Sequence, residues 1–133
     1  MKKTVMIVLV TILLTGCVKK IGNEQKLHDL PYTVLPETEV PQELQERIDE
    51  AGKDAFYLTY ADEGYLYIAR GYGAQPTSGY SISVLDLYDT ENTICFRTSL
   101  IGPKQSEKIK EVESDPYIVV KMEYMEKEVQ FLE

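Results

Sequence analysis

Six short runs of β-forming residues between Phe56 and Phe131 constrain the fold of this chain more than any other feature. The first two, Phe56–Tyr60 and Tyr65–Arg70, flank a turn at Ala61–Gly64. Apolar residues that alternate with polar ones lie on one face of a strand, and two strands joined by a short turn pair as an antiparallel hairpin. The pattern predicts a β-rich domain.

A second hairpin is predicted from Tyr80–Leu87 and Ile94–Leu100, which flank the turn residues Asp89–Asn92. The alternation changes phase between Val84 and Leu85. One extra residue in a strand produces such a change, so the sequence predicts a β-bulge at this position.

The remaining elements are a third predicted hairpin and one or two short helices. Tyr117–Tyr124 and Val129–Phe131 form the hairpin, with a turn around Met125–Lys127. Pro41–Gly52 has helical apolar spacing with a proline start and a glycine stop, and Ser106–Val112 has room for two helical turns. We therefore predict an α+β fold, rich in β structure, with mainly antiparallel sheets of about six strands in three hairpins.

The N-terminus resembles a bacterial lipoprotein signal peptide. The pair Lys2-Lys3 precedes an apolar stretch over Thr4–Leu14, which is shorter than the ~20 residues that a helix needs to cross a bilayer. Leu14–Cys17 is similar to the lipobox, and the resemblance implies cleavage before Cys17 and attachment of acyl chains such as palmitate to it. Two acyl chains anchor a protein stably. We expect a lipid-anchored protein on the extracytoplasmic face of the cell membrane.

This interpretation divides the chain into three parts. They are a signal peptide over 1–16, a lipidated N-terminus and tether over 17–40, and a single globular domain over 41–133. The signal peptide holds two of the 14 basic residues and none of the 22 acidic ones, so the remaining 117 residues carry a formal charge of −10. Nucleic acid and anionic lipid headgroups require a basic surface, so this charge disfavours both, and we predict no nucleic-acid partner.

Few residues of the predicted domain offer catalytic chemistry. The only histidine, His28, lies in the tether, and Cys95 lies in an apolar alternation that predicts a buried thiol. The acidic candidates form no catalytic or calcium-binding spacing, and those in turns are expected to be solvated. They are Asp54, Asp62, Glu63, Asp86 and Asp89. We predict no enzyme activity, no cofactor and no metal site.

The segment Gly71–Tyr80 concentrates glycine, proline and hydroxyl side chains between the first two hairpins. Glycine permits positive φ and Pro76 fixes one dihedral, so the loop is pre-shaped. Two interpretations remain open: a preorganised binding loop, and a purely structural connection. The many tyrosines of the central strands also leave two interpretations open, an exposed binding face and a tyrosine-rich core.

Three motifs resemble one protein family. They are Gly71-Tyr-Gly-Ala-Gln-Pro-Thr-Ser-Gly-Tyr80, Leu100-Ile-Gly-Pro103 and Ser114-Asp-Pro-Tyr-Ile-Val-Val-Lys121. Together, over roughly residues 55–124, they are similar to the C-terminal domain of the protease complex subunit PrcB family. Founding members are lipoproteins of a secreted subtilisin-like protease complex. The resemblance implies a non-catalytic, protein-binding accessory subunit, with a role in assembly or maturation of an exported protease.

Two alternatives accompany this hypothesis. One is a structural envelope lipoprotein without a tight partner. The other is a protease inhibitor, because Pro76–Tyr80 is also similar to the Pro-Thr-Thr-Gly-Tyr loop of chagasin-type cysteine protease inhibitors. The candidate contact residues are the same for every binding hypothesis. They are Gly73, Gln75, Pro76, Thr77, Ser78, Gly79, Tyr80, Gly102 and Pro103.

Overall fold

A computed structural model describes residues 25–104 and 108–133. The predicted signal peptide and Cys17 lie outside these residues. One α-helix, α1 (Gln42–Ala51), follows a 3-10 turn at Glu37–Glu39. Eight strands complete the described chain. They are β1 (His28–Asp29), β2 (Thr33–Val34), β3 (Ala55–Asp62), β4 (Tyr65–Tyr72), β5 (Ser81–Asp89), β6 (Thr93–Ile101), β7 (Tyr117–Glu123) and β8 (Glu128–Leu132).

The strands form two four-stranded sheets. Sheet A has the order β1-β5-β6-β8, and sheet B has the order β2-β7-β4-β3. All neighbours are antiparallel except β6 and β8, which are parallel. The predicted β-rich class is correct. The first two predicted hairpins are β3–β4 and β5–β6, and the register between β5 and β6 shifts between Val84 and Asp86, which confirms the bulge.

The third predicted hairpin is wrong. β7 lies between β2 and β4, so both of its edges are already paired. The connection from Tyr124 to Lys127 instead carries the chain across to sheet A. There the Lys127 ammonium donates to Asp89 Oδ2 at 2.8 Å and to the Thr90 carbonyl at 2.7 Å. These bonds fix the start of β8 beside the β5–β6 turn.

The main core lies between the two sheets. Sheet B contributes Leu66, Ile68, Ile118, Val120 and Met122, and sheet A contributes Leu87, Ile94 and Phe96. All eight side chains are buried. Each strand supplies alternate residues to this face, as the two-residue period of a strand requires.

Helix α1 forms a third layer on the outer face of sheet B. Leu44 and Ile48, four residues apart, are buried against Tyr67, Ala69 and Val119. Burial contributes about 1.5–3 kcal/mol for each of the two aliphatic side chains. The helix ends at Gly52, whose φ of +59° is a conformation that glycine adopts readily. This confirms the predicted helix and its stop.

Two further parts of the described chain differ from the simplest prediction. Residues 28–34, within the predicted tether, contain β1 and β2, which pair with β5 and β7. The described part of the second predicted helix, 108–112, is not helical. Its backbone instead contacts the loop after β4, where the Ser78 N–H donates to the Lys110 carbonyl at 3.0 Å. No helix among the described residues is long and apolar enough to cross a bilayer.

Candidate functional site

The segment Gly73–Tyr80 carries the chain from β4 in sheet B to β5 in sheet A. Gly73 and Gly79 both have positive φ, +76° and +90°. A Cβ atom on Gly73 would also lie 3.1 Å from the backbone of Lys53 and of Ala55. This glycine is therefore required both by its backbone conformation and by close contact with the start of β3.

A second segment, 108–116, supports the loop along one side. Gln75 and Ser114 form an isolated antiparallel bridge, with N–H to carbonyl distances of 2.7 and 3.0 Å. The Ser114 hydroxyl donates to the Thr77 carbonyl at 2.7 Å, and the Lys110 N–H donates to Ser78 Oγ at 2.9 Å. The loop is thus held in one conformation by bonds to its own domain. The sequence reasoning missed this contact, although Ser114–Pro116 carries a recognisable turn composition.

The structure brings the two predicted contact segments together. A Cβ atom on Gly102 would lie 3.9 Å from Tyr80 Cε2, so the Tyr80 ring lies beside Gly102-Pro103. Ser81 follows Tyr80 and Ile101 precedes Gly102, and these two strand residues are paired in register. Pro76, Gly79 and Gly102 are exposed, whereas Tyr80 is half-buried. The result is one small surface at the open end of the β5–β6 hairpin.

A cleft of about 420 Å³ adjoins this surface. Its lining combines carboxylates with apolar and aromatic side chains. It consists of Ile48, Asp49, Gly52, Asp54, Phe56, Gly73, Asp115, Pro116 and Tyr117. The C-terminal end of α1 also faces the cleft and adds a partial negative charge. These groups favour a cationic side chain as an occupant.

The arrangement of the carboxylates in the cleft does not suit a metal ion. Among the described residues, no group of three or more His, Cys, Asp or Glu side chains is placed to hold a metal ion. Burial raises the pKa of the Tyr117 phenol, so this cleft residue is protonated and neutral at physiological pH.

Asp89, predicted as a solvated turn residue, is buried with 2% of its surface exposed. Its Oδ1 accepts from the His28 N–H at 3.0 Å and contacts His28 Nδ1 at 3.2 Å. The hydrogen bond from Lys127 and the contact with His28 hold the pKa of this carboxyl below its usual range, although burial acts in the opposite direction. The carboxylate joins β1, β5 and the β7–β8 connection, and its role is structural.

The other residues singled out from the sequence divide between core and surface. Cys95 is buried at 5% exposure, which confirms that prediction. Tyr67 packs under α1, whereas Tyr57 and Tyr65 are exposed. Tyr57 and Tyr72 contact the Arg70 guanidinium, and the Tyr72 hydroxyl lies 2.6 Å from Thr98 Oγ1. These tyrosines therefore divide between the core under α1 and exposed positions on the sheets.

The fold and the loop define a small two-sheet β protein whose sheets are joined by a supported, glycine-rich connection. Residues 66–123 match the family model described as PrcB C-terminal. This match confirms the predicted resemblance over those residues. It runs from β4 to the end of β7 and includes the loop, Gly102-Pro103 and the supporting segment 108–116. No curated protein and no solved structure matches the chain.

Proposed function

We propose that this protein is a lipid-anchored, extracytoplasmic accessory subunit that binds another protein and carries out no reaction itself. The PrcB C-terminal match carries this proposal, since it covers every residue of the candidate surface. The partner that the family suggests is an exported protease, which the subunit would help to assemble or mature. Cys17 would hold the domain at the cell membrane through its lipid.

The contact surface in this proposal is the loop Gly73–Tyr80 together with Gly102-Pro103. Several properties support it: the loop is pre-shaped, it is held by bonds to 108–116, and it exposes Pro76 and Gly79. A preordered surface loses little conformational entropy on binding. The same bonds favour a flat contact over insertion of the loop into an enzyme's cleft, as an inhibitor would require.

The acidic cleft beside the loop adds a charge preference. A partner that places a lysine or arginine side chain between Asp54 and Asp115 would gain from both carboxylates and from the aromatic lining. We therefore expect binding to weaken as the salt concentration rises.

Crosslinking mass spectrometry on the native lipidated protein in membranes tests the proposal. Wild type is compared with Tyr80→Ala and with Tyr124→Ala. Tyr124 is 50% exposed and lies near Gly64, at the end of β4 away from the loop, so it is a matched control. We expect a protease partner with crosslinks to residues 73–80 or 102–104, lost with Tyr80→Ala and kept with Tyr124→Ala.

Other results point to other functions. Capture of an active protease that the protein inhibits would support the inhibitor hypothesis. No specific capture from the membranes would contradict the accessory role and favour a structural envelope lipoprotein.

A further inference from the structure

The outer edge of sheet B is formed by β3, a strand of eight residues. Its pairing with β4 runs without interruption from Ala55 and Tyr72 to Asp62 and Tyr65. No strand within residues 25–104 or 108–133 lies along its other side. A strand in this position has unpaired backbone groups along one edge.

The register identifies which backbone groups face outward. The Tyr72 N–H donates to the Pro116 carbonyl, on the β7 side of β4. The N–H and C=O of one residue in an antiparallel strand point to the same side, and those of the next residue point to the other side. Alternate β4 residues therefore bond to β3. These are Tyr67, Ala69 and Gly71, which lie opposite Tyr60, Leu58 and Phe56. The N–H and C=O groups of Tyr57, Thr59 and Ala61 therefore point away from the sheet.

The other edges of the two sheets are protected, and β3 is not. β1 and β2 have two residues each, and β2 lies between Pro31 and Pro36. β5 carries the bulge, and β8 has five residues beginning with Glu128. Short strands, prolines, bulges and charges are the devices by which proteins prevent pairing at an edge. β3 has no proline, lysine or bulge, and its one charged residue, Asp62, is its last.

A cation lies beside this edge. The Arg70 guanidinium is between the rings of Tyr57 and Tyr72, at 4.3 and 3.9 Å from their centroids. Arg70 donates to the Gly71 carbonyl but has no carboxylate within ion-pair distance among the described residues. Glu133 is close by and accepts from the Tyr57 hydroxyl instead. Further guanidinium donors are thus open to an acceptor.

We infer that the free edge of β3 binds an extended segment of another protein by strand addition. The added strand would bond to the outward backbone groups of Tyr57, Thr59 and Ala61. A carboxylate side chain on the same face as Tyr57 would pair with Arg70. This surface is separate from the loop Gly73–Tyr80 and does not depend on the function proposed for it.

A second copy of the chain fits this edge less well. Across such an edge only outward-facing residues can bond to each other, so one antiparallel register sets Tyr57 opposite Thr59. In that register Asp54 lies opposite Asp62, and like charges meet at both ends of the pairing. The formal charge of −8 on each chain adds a general repulsion. Both features favour a different protein as the occupant.

The test uses two synthetic strand peptides, Thr-Val-Glu-Val-Thr-Val-Thr and the same peptide with lysine in place of glutamate. NMR amide exchange and chemical shifts of the folded protein are recorded with each. We expect slowed exchange at Tyr57, Thr59 and Ala61 with the acidic peptide and several-fold weaker binding of the lysine peptide. Arg70→Gln should remove this preference and retain the binding.

Thr59→Pro blocks the edge with little effect on the sheet, because the Thr59 N–H does not bond to β4. Thr59→Val is its matched control, and both are checked for unchanged β4 and β7 amide shifts. We expect Thr59→Pro to abolish peptide binding, and Thr59→Val and the loop variant Tyr80→Ala to retain it.

Three results would overturn the inference. The first is no exchange or shift change at β3 with either peptide, and the second is equal binding to the Thr59→Pro variant. The third is protection of the β3 amides in the protein alone that rises with protein concentration, which would identify a second copy as the occupant.

Discussion

At the scale of single residues, the Asp89 carboxylate connects parts of the chain that are far apart in sequence. His28 lies 61 positions before it and Lys127 lies 38 positions after it. Removal of one charge from a buried pair leaves the other charge without compensation. Asp89 should therefore contribute more to stability than the exposed acids of the same sheet.

Asp89→Asn should lower the free energy of unfolding at pH 7 by about 1–3 kcal/mol. The folded pKa of Asp89 is below that of the unfolded chain, so its contribution is present at pH values above the unfolded pKa of about 4. The contribution is lost as the pH falls through the folded pKa. Urea unfolding at pH 7 and at several pH values below 4 should show the difference between wild type and variant shrinking.

Asp86→Asn is the control for this experiment. Asp86 pairs with Arg97 at 3.1 Å, but the two side chains are 41% and 39% exposed. Exposed pairs contribute about 0.2–1 kcal/mol. Equal losses in the Asp86 and Asp89 variants, or a difference that does not change with pH, would contradict the structural role of Asp89.

Gly71 is required by a neighbouring ring and not by its backbone angle. A Cβ atom at this position would lie 2.2 Å from Phe56 Cε2. Gly71→Ala should therefore destabilise the fold by about 1–3 kcal/mol through overpacking. Combining it with Phe56→Leu should recover part of the loss, which a double-mutant cycle of unfolding free energies measures. Strict additivity would show that the ring is not the cause.

At the scale of elements, the sequence predicts local pairing well and distant pairing poorly. The β3–β4 and β5–β6 hairpins and the bulge at Val84 follow from alternation and turn composition within about 20 residues. β7 and β8 show the same local signals, yet both edges of β7 are occupied by β2 and β4. Occupancy of an edge by a strand from elsewhere in the chain leaves no local signal.

The candidate site likewise contains some residues that local sequence predicts and others that it does not. Its glycines, Pro76 and Tyr80 are recognisable in the sequence because their conformational roles are local. The bonds from Lys110 and Ser114 span 32 and 37 residues, and neither residue is distinctive in type. The acidic cleft likewise combines Asp49 and Asp54, at the end of α1 and shortly after it, with Asp115 from a distant segment.

Ser114→Ala should loosen the loop without changing any loop residue. It removes the hydroxyl bond to the Thr77 carbonyl and retains the backbone bridge to Gln75. We expect a loss of about 1 kcal/mol and faster amide exchange at Gln75 and Ser78. Ser83→Ala, in β5, is the control and should leave both amides unchanged. Unchanged exchange in Ser114→Ala would show that the hydroxyl does not order the loop.

At the scale of the whole molecule, the strand orders of the two sheets place the first described strands and the unpaired edge of β3 on opposite sides. β1 and β2 lie at one side of the paired sheets, and β8 and β3 lie at the other. Tyr57 of β3 and Phe131 of β8, with ring centroids 4.7 Å apart, close that second side. The described chain therefore begins on the side of the molecule opposite the β3 edge.

Substitution of each of the two cysteines tests membrane anchoring and folding stability separately. If the proposed acyl chains anchor the protein, Cys17→Ser should move it from the membrane fraction to the soluble fraction and should leave the unfolding midpoint unchanged. Cys95→Ser places a hydroxyl in a buried site and should lower the free energy of unfolding by about 1–3 kcal/mol. It should leave the protein in the membrane fraction. Fractionation and thermal unfolding of both variants measure this. Membrane retention of Cys17→Ser would show that something other than the lipid anchors the protein, either the apolar segment Thr4–Leu14 or a partner.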